Sequence, residues 1–523
     1  MNTPLPLDPR PTIPSWVALL LAAASGPVLD AAFPDLGVWP LAFLGIAMML
    51  LALRNQPARW AFHIGLVGSL SFYLLHIQWA TLFLGPVPWA ALSVVMALFG
   101  GIGATLIGIA YRMLLRLRRR IVVRLIALPA LVAGLWTARE AVQSVWPYGG
   151  FAWGRVAQSQ SESPLGTLFA WLGVSGVSFV MVFFVALAIE AVLTQQARAT
   201  LRFVPASVVL VLMLGTPAFP VTIDGQLRIA AVQGNGKTGY FQQRDSGDNL
   251  RDQLDATMAL RGEDVDLVVW PEGGSDLDPL RNDYAAMAFD LVADTFDAPF
   301  IAGTITEREP DVIHNSSLLW LPGEGLADIY DKRHPVPFGE YVPDREFWEP
   351  LAPDLIGLIQ REYTPGTTDS VFELPAGVRV GVNICFDIVD DGLLRESVRD
   401  GAQVIFAQTN NADFGRTDES VQQLAFARIR ALELGRTVVN ISTVGTSAIV
   451  APDGSTLDQL EWYTQDAMVR EIPLSSTETP ALRLGAPLEW TIAITSVLVV
   501  AALGVTRLAT SGAVAARKRA SRS

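Results

Sequence analysis

Seven apolar stretches, each near the ~20 residues that a bilayer-spanning helix needs, precede residue 220: roughly 14–33, 37–53, 60–84, 88–112, 122–140, 164–193 and 202–219. An eighth, LEWTIAITSVLVVAALGV, covers 488–505. Such a chain predicts a multi-pass α-helical membrane domain with a soluble module between its seventh and eighth spans. The small residues of LLLAAAS invite reading the first stretch as a signal peptide. Its weakly charged start and the spans behind it favour a retained helix.

Basic residues orient the spans. With the N-terminus inside, the inner segments carry Arg54 and Arg59, the run RMLLRLRRR at 112–120, Arg198 and Arg202, and the tail RKRASRS. The short outer loops near 34–36 and 85–87 hold no Lys or Arg, and only Arg155 in the 141–163 loop departs from the pattern. Both termini are therefore expected to be cytoplasmic, with the soluble module outside. The divisions are residues 1–220 for the membrane domain, 221–486 for the soluble domain, and 487–523 for the last span and basic tail. A net charge of −13 excludes a general nucleic-acid binder. A single cysteine excludes an internal disulfide and thiolate-rich metal sites.

Within the soluble module, QLRIAAVQ (226–233), VDLVVW (265–270), PFIAGT (299–304), VRVGVNIC (378–385), AQVIFAQT (402–409) and RTVVNIS (436–442) read as buried strands. Between them, NLRDQLDATMAL and DYAAMAFDLVADTF read as amphipathic helices. The alternation predicts a layered α/β sheet with covering helices. Sites in such sheets gather at the carboxyl ends of strands. Glu272, Cys385 and the pair Asn410–Asn411 all follow directly on a strand.

Cys385, the only cysteine, is either a small buried hydrophobe or a nucleophile, and its partners decide. Of four histidines, His63 and His76 fall in spans, while His314 and His334 lack a recognisable protease context. The competing base is Glu272 in WPEGG. Lys332 opens the stiff segment DKRHPVPFGEYVP (331–343), in which Glu340 stands between Phe338 and Tyr341. A Glu, a Lys and a Cys suit acyl transfer: the carboxylate takes the thiol proton, while the lysine and the N–H after the cysteine stabilise the oxyanion. ARIRALELGR (427–436) has Arg430–Glu433 and Glu433–Arg436 spacings that suit helix-surface pairs.

WPE, K-x-x-x-VPFGEYVP and ICFD resemble the carbon–nitrogen hydrolase (nitrilase) superfamily. Joined to eight spans, and with VQGN, TNNADFG, RALELGR and GFAWG, they resemble its apolipoprotein N-acyltransferase family. That resemblance implies an α-β-β-α sandwich, with Glu272 as base, Lys332 as oxyanion stabiliser, Cys385 as nucleophile and Glu340 in support. It implies no metal or organic cofactor. An acyl chain would leave the sn-1 position of a phospholipid for Cys385. From that thioester it would pass to the α-amine of the S-diacylglyceryl cysteine of an apolipoprotein. The setting implied is a bacterial plasma membrane, with the bilayer and these two lipids as partners, and the chain is expected to act as a monomer.

Trp153 and Tyr148 in the outer loop, with Phe338, Tyr341, Asn410 and Asn411, are the expected substrate- or lipid-contacting residues, and FWEPLAPDLIGLIQ (347–360) is either a lid dipping into lipid or a packed amphipathic helix. Two positions depart from the family pattern. Cys385-Phe386-Asp387 stands where Cys-Tyr-Glu is common, though the backbone N–H of Phe386 still serves an oxyanion, and Asp413 stands where an aromatic is frequent. A membrane-anchored amidase that passes its thioester to water is the rival enzyme. A transporter or receptor with a degenerate hydrolase domain is the rival of another class, disfavoured by the few ionisable residues in the spans.

Overall fold

The computed structural model describes residues 11–117, 121–194, 200–240, 242–359 and 361–520, with side chains to 116 in the first segment and to 505 in the last. Arg198, the end of the 112–120 run, Gln360 and the basic tail lie outside the described residues or side chains. Every predicted span contains a helix. Among the described residues, four helical segments are long and apolar enough to cross a bilayer: Pro86–Leu114, Val123–Gln143, Pro164–Leu193 and Pro480–Val505. Ala58–His76 and Gln78–Leu84 pass the same test together, as a broken span or a re-entrant loop bent by 60° at the break. Ser15–Asp30, Leu41–Leu53 and Val204–Gly215 are shorter than the sequence pattern suggests. At 1.5 Å per residue they rise about 18–24 Å, less than a ~30 Å hydrocarbon core. Small residues let the helices close up: an added Cβ at Gly65 would lie 2.6 Å from the Gly100 carbonyl oxygen.

The soluble part contains two six-stranded sheets. The first has strands β1 (Gly225–Gln233), β2 (Leu267–Val269), β3 (Phe300–Glu309), β4 (Val312–Leu321), β5 (Gly325–Asp331) and a late strand, β12. The second has β6 (Val371–Glu373), β7 (Arg379–Ile384), β8 (Val404–Thr409), β9 (Thr437–Ser442), β10 (Ala448–Val450) and β11 (Thr456–Gln459). β12 (Asp466–Leu474) returns to the first sheet. The orders are β12-β1-β2-β3-β4-β5 and β11-β10-β9-β8-β7-β6, with β1-β2-β3 and β7-β8-β9 parallel and the flanking pairs antiparallel.

Period-2 alternation builds the layers. Leu227, Ile229 and Ala231 point between the sheets with Val404, Phe406, Val439 and Ile441. Ala230 and Val232 point outward, to a layer shared with the helices Asp248–Met258 and Asp283–Phe296. The opposite outer face takes Ile405, Ala407 and Val438, packed with residues of Asp391–Arg399 and Asp418–Leu434 and with the membrane helices. The result is the expected α-β-β-α sandwich on a multi-helix membrane domain.

That contact corrects two sequence readings. Arg430 and Glu433 pair at 2.6 Å, but both are buried, not on a helix surface. Arg436 bonds the carbonyls of Ala402 and Thr477 instead of pairing with Glu433. Arg155, the one basic residue out of place in the charge pattern, is fully buried and grips Asp391 through two bonds of 2.7 and 2.8 Å. Arg430 reaches the same carboxylate at 2.6 Å. Breaking a buried pair leaves an uncompensated charge, at a cost of about 3–5 kcal/mol. Asp391→Asn, nearly isosteric, is expected to lower the melting temperature clearly when followed by tryptophan fluorescence in detergent. An unchanged melting curve would show that this network does not hold the two parts together.

Candidate active site

Glu272, Lys332 and Cys385 meet at one end of the sandwich. β2 is followed by Trp270-Pro271, and the turn after it swings Glu272 over β3. Gly303 makes room for it, because a Cβ there would lie 2.3 Å from the Pro271 oxygen and 2.7 Å from Glu272 Cα. Lys332 follows β5, and its N–H bonds the Asn315 carbonyl of β4 at 2.8 Å. Cys385 stands at the end of β7 with φ of +51°. A left-handed cysteine costs conformational energy, and such residues cluster at functional sites.

Lys332 is buried, with its Nζ 2.8 Å from Glu340 Oε2 and 3.9 Å from Glu272 Oε1. Asn315 Nδ2 donates to both carboxylates, at 2.7 Å to Glu272 and 3.0 Å to Glu340. The Val336 N–H fixes the other Glu340 oxygen at 2.6 Å. Burial pushes the Glu272 carboxyl up to about 7; Lys332 opposes this, Glu340 reinforces it, and hydrogen bonds from Asn315 and Cys385 oppose it. For Lys332, burial works against the charge, but Glu340, Cys385, Glu272 and Asp387 together outweigh it and hold the ammonium above its ordinary range. Cys385 keeps partial solvent access. Burial nevertheless raises its thiol well above the usual value, Glu272 raises it further, and Lys332 pulls it down. The resting site is thus a thiol beside a carboxyl group poised near neutrality and a permanent cation. These are the elements of base-assisted acyl transfer.

The apolipoprotein N-acyltransferase N-terminal domain family matches residues 25–187, and the carbon-nitrogen hydrolase family matches residues 228–480. An apolipoprotein N-acyltransferase of Mycolicibacterium smegmatis is 33% identical over 94% of this chain and 85% of its own. The chain belongs to the apolipoprotein N-acyltransferase family. The Azotobacter vinelandii protein of the same name is 30% identical over 93% of this chain and 95% of its own. Among solved structures, an amidase from Nesterenkonia sp. aligns at 18% identity and a TM-score of 0.38, over 49% of this chain and 94% of that one.

The other expected residues divide. Tyr148 donates 2.8 Å to Asp344 Oδ2 and touches Phe338, whose ring also meets Trp348. Phe338, Tyr341 and Tyr148 therefore sit together where the 141–163 loop meets the VPFGEYVP segment. The 347–360 segment contains two single helical turns, Arg345–Trp348 and Pro353–Ile356, instead of one amphipathic helix. Phe347 and Leu351 stand exposed beside them. Trp153 is buried, not spread on a lipid boundary: its ring stacks at 5° on Phe386 and its Nε1 donates 2.7 Å to Gln422. Asn410 is occupied in tying loops, accepting from Thr238 and Thr443 at 2.8 and 2.9 Å. Asn411 is buried, one side chain away from the sulfur.

The family departures have structural partners here. Phe386 completes a stack with Phe151 and Trp153. Asp387 accepts from Tyr330 at 2.9 Å and from the Ile384 N–H at 3.1 Å, which moors the turn carrying Cys385. Asp413 accepts the Tyr240 N–H at 2.7 Å. His314 and His334 bond Thr364 and Asp390. The sequence reading missed Asn315, Glu419 and Gln423, each an ordinary polar residue in its local pattern.

Removing the Lys332 charge raises the Cys385 thiol further, and each pKa unit lowers the thiolate fraction tenfold. In Lys332→Met, iodoacetamide labelling of the sole cysteine at pH 8 is expected to slow about tenfold or more. Labelling at the wild-type rate would show that the ammonium does not act on the sulfur.

Proposed function

We propose that this chain moves an acyl chain from a phospholipid, through a Cys385 thioester, to the α-amine of an S-diacylglyceryl cysteine at an apolipoprotein N-terminus. The observation carrying the proposal is the buried Glu272–Lys332–Glu340 cluster beside the only cysteine of a membrane-seated N-acyltransferase.

In the first step, Glu272 takes the thiol proton as Sγ attacks the ester carbonyl carbon. Lys332 Nζ and the Phe386 N–H hold the oxyanion. The carbon–oxygen bond breaks, and the lysophospholipid leaves with the proton from Glu272. In the second, the acceptor amine attacks the thioester, Glu272 takes a proton from nitrogen, and the carbon–sulfur bond breaks as Glu272 passes that proton to the departing sulfur, restoring the thiol. Glu340 keeps Lys332 charged and placed. The exposed Phe347 and Leu351 and the half-exposed Tyr148 support a site that opens to the outer leaflet, where both lipid substrates lie. Excluding water there favours aminolysis over hydrolysis. The corresponding topology is the sandwich outside the bacterial plasma membrane and both termini in the cytoplasm.

Intact mass spectrometry tests the thioester. Wild-type protein incubated with phospholipid alone is expected to gain one acyl mass that Cys385→Ala does not gain. A diacylglyceryl-cysteine peptide should then discharge it and become N-acylated. Discharge to water regardless of peptide would mark an amidase, and N-acylation by Cys385→Ala would overturn the proposal.

A pH profile tests the base. Glu272 must be unprotonated to accept the thiol proton, so acyl-enzyme formation should fall as pH drops through about 7, losing tenfold per unit below it. In single-turnover assays, Glu272→Gln should lose about 10²–10⁴-fold in rate. A profile flat from pH 5 to 8 would assign the base elsewhere.

A further inference from the structure

Gln423 lies in the helix Asp418–Leu434, buried, with its Nε2 3.8 Å from Cys385 Sγ. Which end of an amide faces its neighbour is settled by the hydrogen bonds around it, and here a chain of donors settles it. The Ser442 hydroxyl, which accepts the Gly445 backbone N–H at 2.9 Å, donates to Asn411 Oδ1 at 2.6 Å, and Thr409 Oγ1 donates to the same oxygen at 3.2 Å. With that oxygen occupied, Asn411 presents its Nδ2, which donates 2.7 Å to Gln423 Oε1. Gln423 is left with its N–H groups towards the sulfur. In this arrangement every donor points from Gly445 towards the sulfur, and each bond polarises the next.

Two details show that the arrangement is built in. A Cβ at Gly445 would lie 2.3 Å from Asn411 Oδ1 and 2.5 Å from Ser420 Oγ, so no larger residue fits where the chain begins. The second Asn411 proton goes to Glu419 Oε2 at 2.8 Å, which holds the amide from the other side. Glu272, Lys332, Glu340 and Glu419 are the charged or titratable groups acting on the sulfur, and Lys332 is the only cation among them.

We infer that Gln423 is a further catalytic residue: its Nε2–H donates to Cys385 Sγ wherever that sulfur carries negative charge, with Asn411 and Ser442 as positioning residues behind it. This rests on the thioester reading above. In the first step the donor acts while the sulfur–carbon bond forms and Glu272 takes the proton. In the second it acts while the same bond breaks and the sulfur departs. Lys332 and the Phe386 N–H serve the oxyanion, and Gln423 serves the sulfur, so the two anionic centres have separate donors.

The test uses the full-length protein in detergent. Gln423→Leu removes the donor and leaves an apolar side chain one bond shorter. The pH midpoint for iodoacetamide labelling of Cys385 should rise by about one unit. Acyl-enzyme formation from phospholipid should slow about tenfold, with kcat reduced and the KM for phospholipid unchanged. Gln423→His, which restores a ring N–H, should recover labelling to within about threefold. Asn411→Leu and Ser442→Ala should move the midpoint in the same direction by less. A folded Gln423→Leu with the wild-type profile would overturn the inference and leave the thioester reading intact. N-acylation by Cys385→Ala would instead remove the thioester reading itself. Should Gln423→Leu fail to fold, Ser442→Ala decides, because an unmoved midpoint there would equally overturn the chain.

Discussion

An ammonium group buried without a counter-charge is too costly to survive in a folded protein, and Lys332 is buried within the sandwich. Much of the site follows from compensating that charge. Glu340 meets it at 2.8 Å, and the VPFGEYVP segment must fold back over β5 to bring the carboxylate there. Two carboxylates near one lysine would repel each other, so Asn315 stands between them and donates to both. Glu272, farther from the cation at 3.9 Å, is left incompletely compensated. Burial, which Lys332 offsets only in part and Glu340 reinforces, lifts its carboxyl to about 7, as a proton acceptor working near neutral pH requires.

A second consequence concerns the membrane. The helix Asp418–Leu434 lies between the second sheet and the spans, so its adjacent glutamines face different partners. Gln422 Oε1 accepts from both Trp79 and Trp153, at 3.2 and 2.7 Å, and its Nε2 reaches the His76 carbonyl. Gln423 faces the sulfur. Trp153 in turn stacks on Phe386, the residue whose N–H is proposed for the oxyanion. The 141–163 loop is therefore part of the wall around Cys385, not only a tether for the sandwich.

The sequence was most legible where one physical pressure dominates. All six strands read from β-branched runs are present, because a strand covered on both faces needs little but apolar residues. The helix Asp283–Phe296 has the bounds expected of DYAAMAFDLVADTF, with Asn282 capping its start and Asp297 turning left-handed at its end. β4, β5 and β12 were not legible: VIHNSSLLWL, GLADIYD and DAMVREIPL mix polar and apolar residues on flanking antiparallel strands. Glu272 and Cys385 could be placed because strand ends converge in open α/β sheets. Gln423 and Glu419 could not, since a glutamine or glutamate in a helix reads as solvated surface until something covers it. Here Asn411 covers both and Cys385 faces Gln423, contacts between distant parts of the chain that no local pattern encodes.

The same reasoning explains how Phe386 and Asp387 stand where the family more often has Tyr and Glu. The partly buried Phe386 ring stacks on Phe151 and Trp153, and Trp153 in turn packs on Phe426. Phenylalanine supplies that ring without a hydroxyl. The shorter Asp387 still fulfils an anchoring role, because Tyr330 comes from β5 to meet it and the Ile384 N–H closes the turn. The turn that sets Cys385 at its positive φ is thus held by an aromatic stack on the membrane side and a Tyr–Asp bond on the sheet side. What the two substitutions preserve is the place of the peptide after the sulfur.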